Sequence, residues 1–193
     1  MTDLPRDLVI GPDGRARCAW AGSDPEYLRY HDEEWGRPLH GDRPLYEKLT
    51  LEGFQAGLSW ITILRKRPAF RTAFAGFEPE IVAAFDDSDI ERLMGDAGIV
   101  RNRAKIEAAI SNARIVSAMA EGELDALLWS FAPPSTARRP ASFADLPAST
   151  PGSEAASTAL RTLGFRFVGP TTLYALMQSS GMVDDHIEGC WRA

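Results

Sequence analysis

Residues 164–172 read Gly-Phe-Arg-Phe-Val-Gly-Pro-Thr-Thr. Before them, Ser153 to Leu163 has the look of a helix that Gly164 ends. After them, Leu173, Tyr174, Leu176 and Met177 fall on a second helix with Pro170 near its first position. The stretch predicts a helical hairpin closed by a tight turn. Such a turn leaves backbone N–H groups at a helix N-terminus, a favourable place for a phosphate, with Thr171 and Thr172 at its mouth. A glycine turn also joins helices that bind nothing, so the hairpin fixes fold class before it fixes function.

Outward from this hairpin the pattern stays helical. Pro44 opens a run in which Leu45, Leu49, Phe54 and Leu58 recur at near-helical spacing. Asp86, Asp87 and Ser88 precede Ile90, Leu93 and Met94, a helix start. From Asn102 onward, Ile106, Ala109, Ile110, Ala113 and Val116 mark one face of a further helix. Residues 132–152 are rich in Pro, Ala and Ser and read as a long loop or a connection between lobes. Residues 1–16 read as a polar N-terminal arm. With no repeat and no convincing strand alternation, the expected fold class is all-α.

The 193 residues suffice for one sizeable core or two small lobes. Apolar content of 45% and charge of 25% are those of a soluble globular protein. No apolar run approaches the ~20 residues of a membrane helix, and no secretory signal is evident, so a cytoplasmic location and no membrane partner are expected. The net charge of -6 is a poor match to non-specific nucleic-acid binding. Local basic clusters exist nonetheless: Arg65, Lys66, Arg67 and Arg71; Arg101, Arg103 and Lys105; Arg138 and Arg139. Each is either a solvated helix face or part of a basic surface on an acidic body.

Leu51 to Trp60 reads Leu-Glu-Gly-Phe-Gln-Ala-Gly-Leu-Ser-Trp. Glu52 stands among small, apolar and aromatic residues with no cation adjacent in the chain, and a buried carboxylate needs a dedicated partner. Gly53 and Gly57 permit close backbone approach, and Trp60 offers a flat face. The set suits a pocket for a flat ligand with donor groups, such as an electron-poor nucleobase. It equally suits a buried helix whose acid caps a neighbour. Trp20, Tyr27, Tyr30 and Trp35 cluster upstream and either stack on a base or serve the core.

Cys18, His31, His186 and Cys190 form a two-Cys, two-His set typical of tetrahedral zinc. The His186–Cys190 spacing puts both on one face if that segment is helical. A metal there would join the N- and C-terminal regions in a structural role, with Asp32 or Asp185 accepting the free ring N–H of a ligating histidine. The same residues admit a Cys18–Cys190 disulfide, disfavoured in the cytoplasm, or two buried thiols beside ordinary surface histidines.

The quoted stretches, together with Arg-Cys-Ala-Trp at 17–20, Asp-Pro-Glu-Tyr at 24–27, Tyr-His-Asp-Glu-Glu-Trp-Gly at 30–36, Asp-Ala-Gly-Ile-Val-Arg-Asn-Arg-Ala-Lys-Ile at 96–106 and Asp-His-Ile-Glu-Gly-Cys at 185–190, occur in one order. In that order the chain resembles the 3-methyladenine DNA glycosylase I family of the helix-hairpin-helix superfamily, from about Arg17 to Cys190. The resemblance implies a single glycosylase domain over 17–193, made of two helical lobes with the damaged base between them. It implies a structural zinc ion held by Cys18, His31, His186 and Cys190. It makes Glu52 the acid that recognises the methylated base, Tyr30 and Trp60 its aromatic walls, and Trp20 and Tyr27 their neighbours. Gly57 and Leu58 match the plug that fills the gap left by a flipped nucleotide, and Val168, Gly169 and Thr171 lie in the phosphate-gripping hairpin. The implied activity is monofunctional hydrolysis of the N-glycosidic bond of 3-methyladenine in double-stranded DNA, releasing the free base, by a monomer. No lysine is placed as an obvious Schiff-base nucleophile. Asp184 stands where this family typically has Asn, and reads as a helix cap or as a stabiliser of the sugar cation. The competing readings are a zinc-stapled nucleic-acid-binding module without catalysis, and a zinc hydrolase, which the closed ligand set opposes.

Overall fold

In the computed structural model, which describes residues 7–134 and 139–193, a short antiparallel hairpin precedes the helices. Strands β1 (Leu8–Ile10) and β2 (Ala16–Cys18) pair Leu8 with Cys18. Then follow α1 (Pro25–Glu33), α2 (Asp42–Gln55), α3 (Trp60–Ala73), α4 (Pro79–Ala83), α5 (Asp87–Gly95), α6 (Arg103–Ala118), α7 (Glu123–Trp129), α8 (Pro151–Thr162) and α9 (Pro170–Ser179). The hairpin occupies part of the stretch expected to be a polar arm and is the exception to an all-α reading. Each strand has only three residues, too few for alternation to show in the sequence. Residues 1–6, and Arg138 of the third basic cluster, lie outside the described residues.

Helix α2 organises the rest. It buries Leu45, Tyr46, Leu49, Leu51 and Phe54 around its whole circumference, as a central core helix must. It packs against α3, α6, α7 and α9, and α8 packs against α9. The helix starts follow sequence chemistry. Asp24 accepts the N–H groups of Glu26 and Tyr27 ahead of Pro25, Asp86 closes a capping box on α5, and Asn102 caps α6. Pro170 takes the first position of α9, as expected.

Two expected helical stretches are corrected. Helix α2 stops at Gln55, so Leu58 lies in the loop before α3 rather than on the α2 face. Gly57 takes φ of 86°, and the Lys105 ammonium donates to the carbonyls of Phe54 at 2.9 Å and Ala56 at 2.7 Å, ending the helix. No helix contains His186 and Cys190 either: after α9 the chain is irregular and closes a turn with Cys190 N–H on the Ile187 carbonyl.

An irregular strap at 36–39 ties the exit of α1 to the end of α9. Gly36 N–H donates to Gln178 O and Leu39 N–H to Ser180 O. Gly181 makes this crossing possible: its φ is 72°, and a Cβ there would lie 2.4 Å from the Arg37 carbonyl carbon. Among the described residues no helix is long and apolar enough to cross a membrane. Gly181→Ala is expected to cost at least about 2 kcal/mol, read as a lower denaturation midpoint; an unchanged midpoint would mean that the strap yields freely.

Candidate active site

Glu52 sits in the last turns of α2, where α2 meets α9, and is 4% exposed. Its carboxylate accepts a hydrogen bond from the Ser179 hydroxyl at 2.9 Å. Burial pushes its carboxyl up to about 7, while Lys48 and the Ser179 hydroxyl pull in the opposite direction. Lys48, absent from the sequence reading, lies one turn earlier on the same helix. A cation is therefore near Glu52 after all, along the helix rather than along the chain.

A cavity of about 240 Å³ opens beside Glu52. Trp20, Tyr27, Tyr30 and Trp35 wall it on one side and Trp60 on another; Gln178 and Ser179 come from α9, with Phe143 and Leu146 at its edge. Ring centroids lie 5.6 Å apart for Tyr30–Trp60, 5.0 Å for Trp20–Tyr27 and 5.1 Å for Trp20–Trp35. Burial raises the Tyr27 and Tyr30 phenols, and the charge of Glu52 adds to it. The Trp60 indole N–H is buried with no partner among the described residues. The structure thus brings Trp20, Tyr27, Tyr30, Glu52 and Trp60 to one chamber. Ser179 and Gln178 could not be found by sequence pattern, because only tertiary packing delivers them.

Helix α6 holds two further segments expected to meet DNA. Lys105 fixes the loop carrying Gly57 and Leu58, and Leu58 is 42% exposed. Two turns on, the Asn112 amide accepts from Arg166 N–H at 2.8 Å and donates to Arg166 O at 3.0 Å, clamping the turn between α8 and α9. Gly53 faces this turn at an ordinary packing distance: a Cβ there would stand 3.5 Å from the Phe167 Cβ. Val168 is 2% exposed and its carbonyl accepts from Ser157 Oγ, so a ligand can meet it only through backbone. Gly169 caps α9, and Thr171 is exposed on its first turn.

Cys18, His31, His186 and Cys190 converge, all buried, with one donor atom from each within 4.8 Å of the others. Cys190 Sγ lies 3.5 Å from His31 Nε2 and 3.7 Å from His186 Nδ1, and Cys18 Sγ lies 3.8 Å from His186 Nδ1. Tetrahedral zinc with ordinary Zn–S and Zn–N bonds needs donor separations of about 3.6 Å, so the four residues fit such an ion. No disulfide joins the two cysteines. Asp32, not Asp185, accepts from His31 Nδ1 at 2.8 Å, leaving Nε2 for the cluster. Asp32 also pairs with Arg17 and accepts from the Trp191 indole. Asp185 instead accepts from Tyr174 and Gln178. Asp184 caps no helix: it accepts from His186 N–H and binds Arg139 at 3.0 Å. The other basic clusters are largely spent on partners. Arg65 binds Asp24, Arg67 binds Glu34, Arg71 binds Glu47, and Arg103 binds Glu91.

Residues 20–193 match the model of the methyladenine glycosylase family. The chain belongs to that family. It is 47% identical over 180 residues to DNA-3-methyladenine glycosylase 1 of Escherichia coli strain K12, covering 90% of this chain and 95% of that protein. A crystal structure of a 3-methyladenine DNA glycosylase I superposes with a TM-score of 0.87 at 47% identity, over 91% of this chain and 98% of that one. A Staphylococcus aureus glycosylase, whose structure addresses recognition of 3-methyladenine, gives a TM-score of 0.83 at 37% identity over 91% and 95% of the two chains. The folded protein keeps Glu52 protonated up to about 7, whereas the ordinary glutamate value is 4.5, so stability falls as pH rises through that window. Glu52→Gln is expected to be more stable than the native chain by about 1–3 kcal/mol near pH 8, the gain vanishing near pH 4. Urea denaturation at the two pH values checks this; an equal effect at both would show that Glu52 carries no such burden.

Proposed function

We propose that this chain excises 3-methyladenine from alkylated double-stranded DNA by hydrolysing its N-glycosidic bond, leaving an abasic site. The observation that carries the reading is one buried carboxylate in an aromatic-walled chamber, in a member of the methyladenine glycosylase family. The names of the relatives agree with it. Methylation at N3 makes adenine cationic and weakens its bond to deoxyribose, so the enzyme has more to select than to force.

Flipping the nucleotide costs a few kcal/mol, less when the base is damaged. The flipped cation stacks on Trp60, Tyr30, Trp20 and Tyr27, whose ring faces attract positive charge. It also brings Glu52 a cation inside the chamber, which favours the ionised carboxylate that burial disfavours. Normal adenine brings no charge to that carboxylate, which is the source of discrimination. Water then adds to the oxocarbenium-like sugar, with Glu52 holding the base and stabilising positive charge. No lysine lines the chamber, so no Schiff base forms and the strand stays intact. Gly57 and Leu58 fill the vacated stack, and the turn at Val168 and Gly169, with Thr171, grips phosphate as a helix-hairpin-helix element at a helix N-terminus.

The proposal extends to two lobes sharing the chamber, and to a monomer acting on cytoplasmic DNA. It extends also to one structural zinc ion held by Cys18, His31, His186 and Cys190. When bound, that ion supplies a cross-link between distant parts of the chain and no activated water. Its nearest effect is to fix His31 and hence Tyr30, the adjacent residue of α1.

Chromatography of bases released from methylated duplex DNA tests the activity. The native chain should release 3-methyladenine, and Glu52→Gln should do so at least about tenfold more slowly. A folded native protein that releases none would overturn the reading. Elemental analysis should find one zinc per native chain and a loss in Cys190→Ser, with a lower melting temperature; undiminished metal in that variant would reject the ligand set.

A further inference from the structure

Lys48 differs from the other buried cations in what holds it. Arg17 is bound by Asp13 and Asp32, Arg67 by Glu34, and Lys105 by two carbonyls. Among the described residues no carboxylate is in ion-pair contact with the Lys48 ammonium, whose hydrogen bond is a long donation, 3.5 Å, to the Tyr30 hydroxyl. Its Nζ lies 5.0 Å from the centre of the Tyr30 ring and 5.5 Å from that of Trp60. Both rings wall the chamber of Glu52, yet Lys48 does not line that chamber. It lines a second cavity, of about 300 Å³, that shares Ser179 with the first. The rings expected to stack on a cationic base therefore already carry a cation from outside.

The other charged groups lining that second cavity are partnered elsewhere: Glu33 pairs with Arg29, and Arg37 donates to the Asp32 carbonyl. Glu47 on α2 is bound to Arg71 at 2.8 Å. Glu34, just after α1, is bound to Arg67 and Arg29. Arg67 itself comes from α3, Tyr30 from α1, and α9 adds only the neutral Ser179 hydroxyl. Glu52 is the facing carboxylate with no cation bound to it, and it lies one turn along the same helix.

We propose that Lys48 is a positioning residue for base recognition: its ammonium, lodged behind the Tyr30 and Trp60 rings, is the resident counter-charge of Glu52 while the chamber is empty, and the incoming cationic base takes over that role. The inference rests on the excision reading above. Burial lowers the Lys48 ammonium and raises the Glu52 carboxyl, while each opposes the effect on the other. The resident charge thus keeps a share of Glu52 ionised at neutral pH, ready for a cation. A neutral base leaves the Lys48–Glu52 pair undisturbed.

The test follows the Glu52 carboxyl by 13C NMR in the folded, DNA-free protein, with Glu52→Gln to assign the signal. Lys48→Met removes the charge at nearly constant length, Lys48→Gln retains a donor for Tyr30, and Lys48→Arg retains the charge. The native midpoint should lie near 7. It should rise by about one pH unit or more in both neutral variants, and stay near the native value in Lys48→Arg. The acid limb of single-turnover base release should move with it. An unmoved midpoint in either neutral variant overturns the proposal, as does an equal rise in Lys48→Arg, which would assign the effect to packing. The carboxyl titration needs no turnover, so a native protein that releases no base while its midpoint responds to Lys48 would refute excision and uphold the pairing.

Discussion

A carboxylate on one helix, held by a hydroxyl from another 127 residues away, is the constraint on which the chamber depends. Glu52 is buried with a hydrogen bond from Ser179, so seating α9 on α2 supplies a partner for the carboxylate. Seating α9 requires the turn before it, which Asn112 clamps, and the strap at 36–39, which reaches over Gly181. The residue proposed to hold the base is thus also one whose burial ties two helices together. A hydroxyl partner also leaves the carboxyl less than fully satisfied, which is what a site awaiting a cation requires.

The aromatic wall hangs on a second polar network. Tyr30 is fixed from both sides along the chain: Asp24 and Pro25 start its helix, and His31 anchors it to the Cys/His cluster. Asp32 joins His31, Arg17 and Trp191, so the first strand pair, the first helix and the last described residues share one carboxylate. Hydrogen bonds to an ionised acceptor are the stronger kind, and in a half-buried network they hold direction as well as distance.

Much of this was legible in the sequence where chemistry and local pattern agree. Glu52 among Gly, Phe and Trp announced a partnered or waiting acid, and four scattered Cys and His residues announced a common centre. The route to that centre was misread: His186 and Cys190 meet through an irregular turn, since donor positions constrain space and not secondary structure. Gly57 carried the signal that α2 stops before Leu58, but the apolar spacing masked it. The three-residue strands were too short to alternate visibly. Lys48 is not adjacent to Glu52 along the chain, but on a helix the neighbour is four residues away. Ser179 and Gln178 leave no local trace at all; only the packing of α9 on α2 brings them in.

The Cys/His cluster has a consequence in time. Its donors span the chain from Cys18 to Cys190, and ribosomes add residues in order, at about 5–20 per second. The helix bearing Tyr30 is made well before His186 and Cys190, which meet His31 in the cluster. Helices with local contacts can form during synthesis, but this closure is non-local and must wait. At that pace the residues between His31 and His186 take about 8–30 seconds to be added, and over that interval the Tyr30 helix lacks its His186 and Cys190 neighbours.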